Sequence, residues 1–143
     1  VEWLDDPQAI LALAAPAHRA RIDQALASGR RRVGAAYRRV RVENGVKVQR
    51  LEVRFDGLAG CLRTPAGGSS RQYVVVCDHG RARVRRLTGR EAARLMGLPD
   101  DYRLPASESA ALKLMGDAVA VPVVRALTEG LLSPVLSPRR AAA

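Results

Sequence analysis

Apolar positions change their spacing along the chain, and each change predicts a different kind of element. Residues 8–15 and 17–28 read as short helices. Ile22 and Leu26 stand four apart and share a face, Pro16 suits a first helical turn, and Gly29 suits the position just past a helix end. From Val33 to Phe55 the pattern moves toward alternation: Tyr37, Val40 and Val42 lead into Glu43-Asn44-Gly45, and Val46, Val48, Leu51, Val53 and Phe55 follow. Asn-Gly between alternating runs is a strong hairpin signal, so strands are expected near 35–43 and 46–55. Asp56-Gly57 reads as a turn, 58–63 as a short apolar strand, and 64–70 as a loop rich in Thr, Pro, Gly and Ser. Residues 72–77 form a β-branched strand, Asp78-His79-Gly80 turns the chain, and 82–87 returns with Arg83 and Arg85 on one face.

The rest is helical. Thr88 with Glu91 three residues on is a capping box, and the helix it starts stops at Gly97. Pro99-Asp100-Asp101 is a turn. Ser107 caps a helix through Met115, closed by Gly116. A last helix runs from about Val119 to Leu132, with Pro122 in its first turn, and the tail from Ser133 is expected to fray. The fold class is therefore α+β: a small mixed or antiparallel sheet followed by C-terminal helices. No βαβ alternation and no internal repeat occur, so a complete parallel nucleotide-binding sheet is not expected.

Charge sharpens this picture. The 143 residues carry a net charge of +10, but residues 30–94 alone hold 17 bases and 5 acids. Nearly all the bases are Arg, with Lys only at positions 47 and 113. The planar Arg fork suits phosphates and guanine edges, so a concentrated Arg segment points to nucleic acid. The five aromatics, Trp3, Tyr37, Phe55, Tyr73 and Tyr102, offer little for base stacking. A duplex is thus the expected partner rather than a single strand. No contiguous apolar run of membrane-spanning length is visible, and no membrane partner is expected. Two cysteines make neither a disulfide scaffold nor a standard zinc site, which fits a reducing, cytoplasmic setting. The start at Val1 without Met suggests a piece of something longer.

Candidate chemistry is sparse. Cys61 follows Gly60 and Cys77 ends a Val run, and neither has His nearby; both read as small hydrophobes. His18 and His79 read as ordinary helix and turn residues. Gly67-Gly68 lies between strands, the wrong context for a phosphate-binding loop. The loop instead offers Ser69, Ser70, Arg71 and Gln72, donors and acceptors of the kinds used on base edges. No catalytic residue and no metal site are expected in this chain.

Residues 85–102, Arg85-Arg86-Leu87-Thr88-Gly89-Arg90-Glu91-Ala92-Ala93-Arg94-Leu95-Met96-Gly97-Leu98-Pro99-Asp100-Asp101-Tyr102, resemble the ninth conserved motif of DNA (cytosine-5) methyltransferases. That motif has the pattern R-x-L-S/T-x-R-E-x-A-R-L-x-G-F/Y-P-D-x-F/Y. Residues 116–124, Gly116-Asp117-Ala118-Val119-Ala120-Val121-Pro122-Val123-Val124, are similar to the tenth motif, usually G-N-x-V-x-x-P-V. Residues 62–72 resemble the glycine-bearing recognition loop that precedes the ninth motif. The resemblance covers about 58–132.

The resemblance implies a target-recognition domain over 30–106, containing a basic hairpin, the loop and the ninth motif. It places C-terminal helices with the tenth motif over 107–132, between an N-terminal helical segment (1–29) and a frayed tail (133–143). Arg85, Arg90 and Glu91 would organise that domain. Arg31, Arg63, Thr64, Gly67, Gly68, Ser69, Ser70, Arg71 and Gln72 would meet double-stranded DNA. Asp117, Ala118 and Val119 would approach S-adenosylmethionine, in a pocket completed by a catalytic domain or large subunit absent from this chain. Asp117 stands where the family usually has Asn, and a carboxylate cannot donate as an amide does. The family's cofactor loop, its Pro-Cys nucleophile and its Glu-Asn-Val motif have no counterpart; Glu43-Asn44-Gly45 copies two letters of the last but sits in a hairpin turn. The expected function is the recognition and C-terminal portion of such an enzyme, inactive alone. A stand-alone DNA-binding or regulatory protein and the small subunit of a split enzyme are the rival readings. The apolar helix at 119–132 is expected to self-associate where no larger domain covers it.

Overall fold

The computed structural model describes residues 2–65 and 70–136. Four strands, β1 (Arg32–Glu43), β2 (Val46–Arg54), β3 (Gln72–Asp78) and β4 (Arg81–Arg86), form one antiparallel sheet in the order β2-β1-β3-β4. The fold is α+β with no parallel sheet among these strands. Asn44 (φ 50°) and Gly45 (φ 78°) close the first hairpin. Two successive left-handed residues give a turn whose twist matches the strands, which is what the Asn-Gly pair provides.

The sheet is packed on both faces. Ala36, Leu51, Val53, Tyr73, Val75, Cys77 and Val84 meet α1 (Pro7–Leu11) and α2 (Pro16–Ala27) through Leu11, Ile22 and Ala25. Leu11, Ile22 and Leu51 are fully buried, each contributing on the order of 1.5–3 kcal/mol by removal from water. On the opposite face Val74 joins a second core of Leu87, Ala92, Ala93, Met96 and Met115, built by α3 (Gly89–Leu95) and α4 (Glu108–Asp117).

The N-terminal segment shields both sheet edges. At β4, Trp3 pairs with Arg85 and the Leu4 N–H donates to the Val84 carbonyl at 2.9 Å. At β2, the Leu51 N–H donates to the Leu13 carbonyl at 2.9 Å, and His18 Nδ1 lies 3.1 Å from the Val53 oxygen. Unpaired edges invite strand addition, and here the chain's own start occupies them beside Arg85 and Leu51, leaving the hairpin end of β1 and β2 open.

One departure from expectation is at residues 58–63, which form no strand; the bridges to the sheet edges are made by Trp3 and Ala14 instead. The segment is a loop held by the Gln72 Nε2 donating to the Cys61 carbonyl at 3.1 Å. A second departure is Gly116, which lies inside α4 rather than closing it; the helix runs to Asp117 and is capped at Ala118. The last helix starts at Val121, not Val119: α5 (Val121–Leu127) leads through a π-helical turn (Thr128–Leu132) into α6 (Ser133–Leu136). The tail expected to fray is thus helical to Leu136. The wider turn precedes Pro134, whose ring would press on the carbonyl four residues back in a regular helix. Residues 137–143, and Gly67, Gly68 and Ser69 of the expected reading loop, lie outside the described residues.

The stretch Glu108–Leu136 is also more apolar than a search for contiguous runs suggests. By length and composition alone it could cross a membrane, with a mean hydropathy of 1.5 over its best window. Its apolar residues are spread among small ones and single charges, and extended backbone at Ala118 and Ala120 interrupts the helix.

Candidate nucleic-acid interface

Within 85–102, Arg85, Arg90, Glu91, Arg94 and Asp100 bond internally, while Arg86 and Asp101 are exposed. Arg85 donates both guanidinium nitrogens to Glu91 at 2.8 and 2.6 Å, and Arg94 grips Asp100 in the same way at 2.6 and 3.0 Å. Arg90 donates to the Tyr102 carbonyl at 2.8 Å, tying the start of α3 to the turn beyond its end. The capping box is complete: the Thr88 N–H donates to Glu91 Oε2 at 3.0 Å, and Thr88 Oγ1 accepts from the Glu91 N–H at 3.2 Å. Glu108 accepts from the Gly89 N–H and so joins α4 to the same corner. Hydrogen bonds from Arg85 and Thr88 hold the Glu91 carboxyl down at about 2.

The loop between β2 and β3 lies along the sheet and α4. Its far end extends the β1 ladder: the Ser70 N–H donates to the Arg38 carbonyl at 3.2 Å, with Ser70 in the left-handed region (φ 66°). Its near end meets α4. A Cβ at Gly116 would fall inside the Arg63–Thr64 backbone, so glycine is needed there for the loop to pass. One residue on, the Thr64 hydroxyl donates to the Asp117 carboxylate. Two residues expected at different ligands, one at DNA and one at the cofactor, are therefore hydrogen-bonded to each other across 53 positions of sequence. Nothing in the local sequence around either residue signals this pairing.

Ala118 and Val119 are exposed on the extended stretch between α4 and α5. With Asp117 bonded to Thr64, this stretch offers apolar surface plus a carboxylate acceptor, and no amide donor.

Arg31, Arg63 and Arg71 are exposed, while Thr64, Ser70 and Gln72 are half-buried. A groove of about 710 Å³ runs between the loop ends and α4, and it brings Arg63, Arg71 and Gln72 together with Arg86 and Lys113. Arg31 is not among its lining residues; it precedes β1. Arg86 and Lys113 were not singled out from the sequence, where isolated charges on a strand and a helix look like ordinary surface. A smaller cleft of about 260 Å³ lies between the loop and the β1 residues Arg38, Arg39 and Val40.

The remaining chemistry-bearing side chains are dispersed. Cys77 is fully buried, and burial pushes its thiol above the usual range; Cys61 is exposed. Among the described residues no cluster of His, Cys, Asp and Glu could hold a metal ion.

Residues 21–133 match the family model described as C-5 cytosine-specific DNA methylase. The chain is 35% identical over 92 residues to the type II methyltransferase M.HpaII of Haemophilus parainfluenzae, covering 54% of this chain and 25% of that protein. It is 47% identical over 49 residues to M.SsoII of Shigella sonnei, covering 34% and 13% of the two chains. It is 43% identical over 61 residues to M.NlaIV of Neisseria lactamica, covering 43% and 14%. The chain thus spans about a quarter or less of the length of these relatives. No solved structure matches it.

Proposed function

Because this chain belongs to the C-5 cytosine-specific DNA methylase family, we propose that it is the target-recognition and C-terminal portion of a DNA (cytosine-5) methyltransferase. In such an enzyme a cytosine is flipped out of the duplex and methylated at C5. S-adenosylmethionine, when bound, supplies the methyl group. This chain supplies duplex affinity through its outward arginines and sequence readout through the loop 63–72. Ala118 and Val119 supply one apolar wall at the cofactor. The partners are double-stranded DNA and a catalytic portion carrying the nucleophile.

One observation carries the reading. The matched region spans the sheet and helices α3 to α5, and within it Arg85, Arg90 and Arg94 are held by internal bonds while Arg63 and Arg71 of the loop, with Arg86 beside them, are exposed. That is the division expected of a scaffold that holds a reading loop.

The test is titration of duplex and single-stranded oligonucleotides with the purified chain, beside a methyl-transfer assay with labelled S-adenosylmethionine. The expected result is salt-dependent binding that favours duplex, with no methyl incorporation. Turnover by the chain alone, or equal affinity for single strands, overturns the reading.

A further inference from the structure

The first hairpin outruns its sheet. β3 pairs with β1 only as far as Gln72 opposite Tyr37. At the next pair Arg38 still bonds to Ser70 and Arg71, and Leu51 to Leu13; beyond it β1 and β2 continue as two strands alone, in register from Arg39 opposite Arg50 to Glu43 opposite Val46. At about 3.4 Å per residue this arm is roughly 20 Å long. Two-stranded ribbons are marginal alone, and an arm of this length is not needed to complete either core.

Its composition is unusual for a bare arm. Residues 38–50 hold five cations and one acid. Glu43 is bound by Arg50, and Glu52 at the arm's base by Arg41, so both carboxylates are already neutralised by cross-strand partners. Arg39 and Lys47 remain exposed, and Arg39 lies over the Tyr37 ring at 5.5 Å. Between the cations, Val40, Val42 and Val46 are 44%, 68% and 62% exposed. Val42 faces the same side as Lys47, and Val40 the same side as Gln49. Apolar groups interleaved with cations and an amide match a surface of phosphates, base edges and thymine methyls.

We infer that the arm Arg39–Arg50 is a second DNA-contacting element, a β-ribbon that enters the major groove beside the loop 63–72. The inference rests on the duplex-binding reading above. The major groove, about 12 Å wide, admits a two-stranded ribbon, whereas the minor groove, about 6 Å wide, does not. The arm is also continuous with the loop: Arg38, Arg39 and Val40 share the smaller cleft with Arg63, Ser70 and Gln72, so one duplex can lie against both. The net positive charge argues for DNA over a second copy of the chain, since two such arms would repel.

The test compares the unaltered chain with Arg39→Gln/Lys47→Gln on duplex DNA across salt, with methyl green as a major-groove competitor and netropsin as a minor-groove one. Removing two phosphate contacts should flatten the log–log salt slope by about 1.8 and weaken binding on the order of 30-fold near 0.15 M salt. Methyl green should compete and netropsin should not. Both changed positions are exposed, and an unchanged melting temperature checks that the fold survives. Unaltered affinity and slope in the double variant overturn the ribbon while leaving the loop's role standing. Failure of the unaltered chain to bind duplex overturns both readings. Dimers that persist in saturating DNA, and that the same variant disrupts, assign the arm to a second copy and also overturn the ribbon.

Discussion

Arg85, Arg90 and Arg94, and the arginines of 31–71, are the same side chain in two situations. Arg85 is only 14% exposed and lies in a two-pronged grip with Glu91, and Arg90 and Arg94 each span α3 to the turn that follows it. In the other group the ion pairs are cross-strand, as Arg50 with Glu43, or local to a strand end, as Arg54 with Asp56, and none has both partners as buried as Arg85 and Glu91. Among the described residues Arg31, Arg63 and Arg71 make none. A carboxylate or carbonyl at the right distance turns an arginine into a strut; its absence leaves a cation for a partner to neutralise. A count of bases takes both kinds alike. The 17 bases of residues 30–94 therefore overstate the cations available to DNA, since Arg41, Arg50, Arg54 and Arg85 already face carboxylates of that segment, which the net of +12 subtracts.

The sharpest way to break this contrast is at Arg85. Arg85→Ala leaves Glu91 half-buried without its partner, and a loss of about 2–4 kcal/mol in urea denaturation is expected. If Arg85→Ala is as mild as Arg54→Ala, which breaks an exposed pair, the two groups are not distinct. Next is Gly116→Ala, expected to cost about 1–3 kcal/mol because the new methyl must displace the Arg63–Thr64 backbone. It should also weaken duplex binding, since the loop end it displaces leads into the reading loop.

Glu91 gives a pH signature. Its carboxyl is lowered from 4.5 to about 2 by the hydrogen bonds from Arg85 and Thr88. A depressed folded value stabilises above the ordinary carboxylate range, and that stability fades as pH falls from about 4.5 toward 2. After allowance for solvent screening, Glu91→Gln should cost about 1–2 kcal/mol at pH 7. The difference between the two proteins should shrink toward zero near pH 2. A difference independent of pH would show that the ion pair does not contribute.

Local signals were legible in the sequence and long-range pairings were not. Asn44-Gly45, the Thr88–Glu91 capping box and Pro16 at a first helical turn each act within four residues, and each element appears where those residues put it. The strand expected at 58–63 does not form, and the bridges to the sheet edges come from Trp3 and Ala14, which carry no local mark of that role. Gly116 reads as a helix stop by its type, yet its helix continues because the missing side chain is needed for packing against Arg63–Thr64. The Thr64–Asp117 hydrogen bond is of the same kind. The Gly- and Ser-rich run 64–70 reads as loop, but the anchors of its described ends, Arg38 on β1 and Gly116-Asp117 on α4, come from elements before and after it.

The smallest effect on stability, and the finest test of the contrast, lies at Arg31 and Arg71. Both are exposed, so Arg31→Ala and Arg71→Ala should change the unfolding free energy by less than about 0.5 kcal/mol, against the larger cost at Arg85. Their effects on DNA should differ. Arg31 precedes β1 and lies outside the groove beside the loop, so its loss should weaken all duplexes alike and reduce the salt slope by about 0.9. Arg71 lines that groove beside Gln72, so its loss should change the ranking among duplex sequences, by about 1–3 kcal/mol at the base pair it reads. Binding measured over a small library of duplexes separates the two patterns. Equal losses across the library for both variants would mean that Arg71 contacts phosphate, and would move sequence readout away from the exit of the loop.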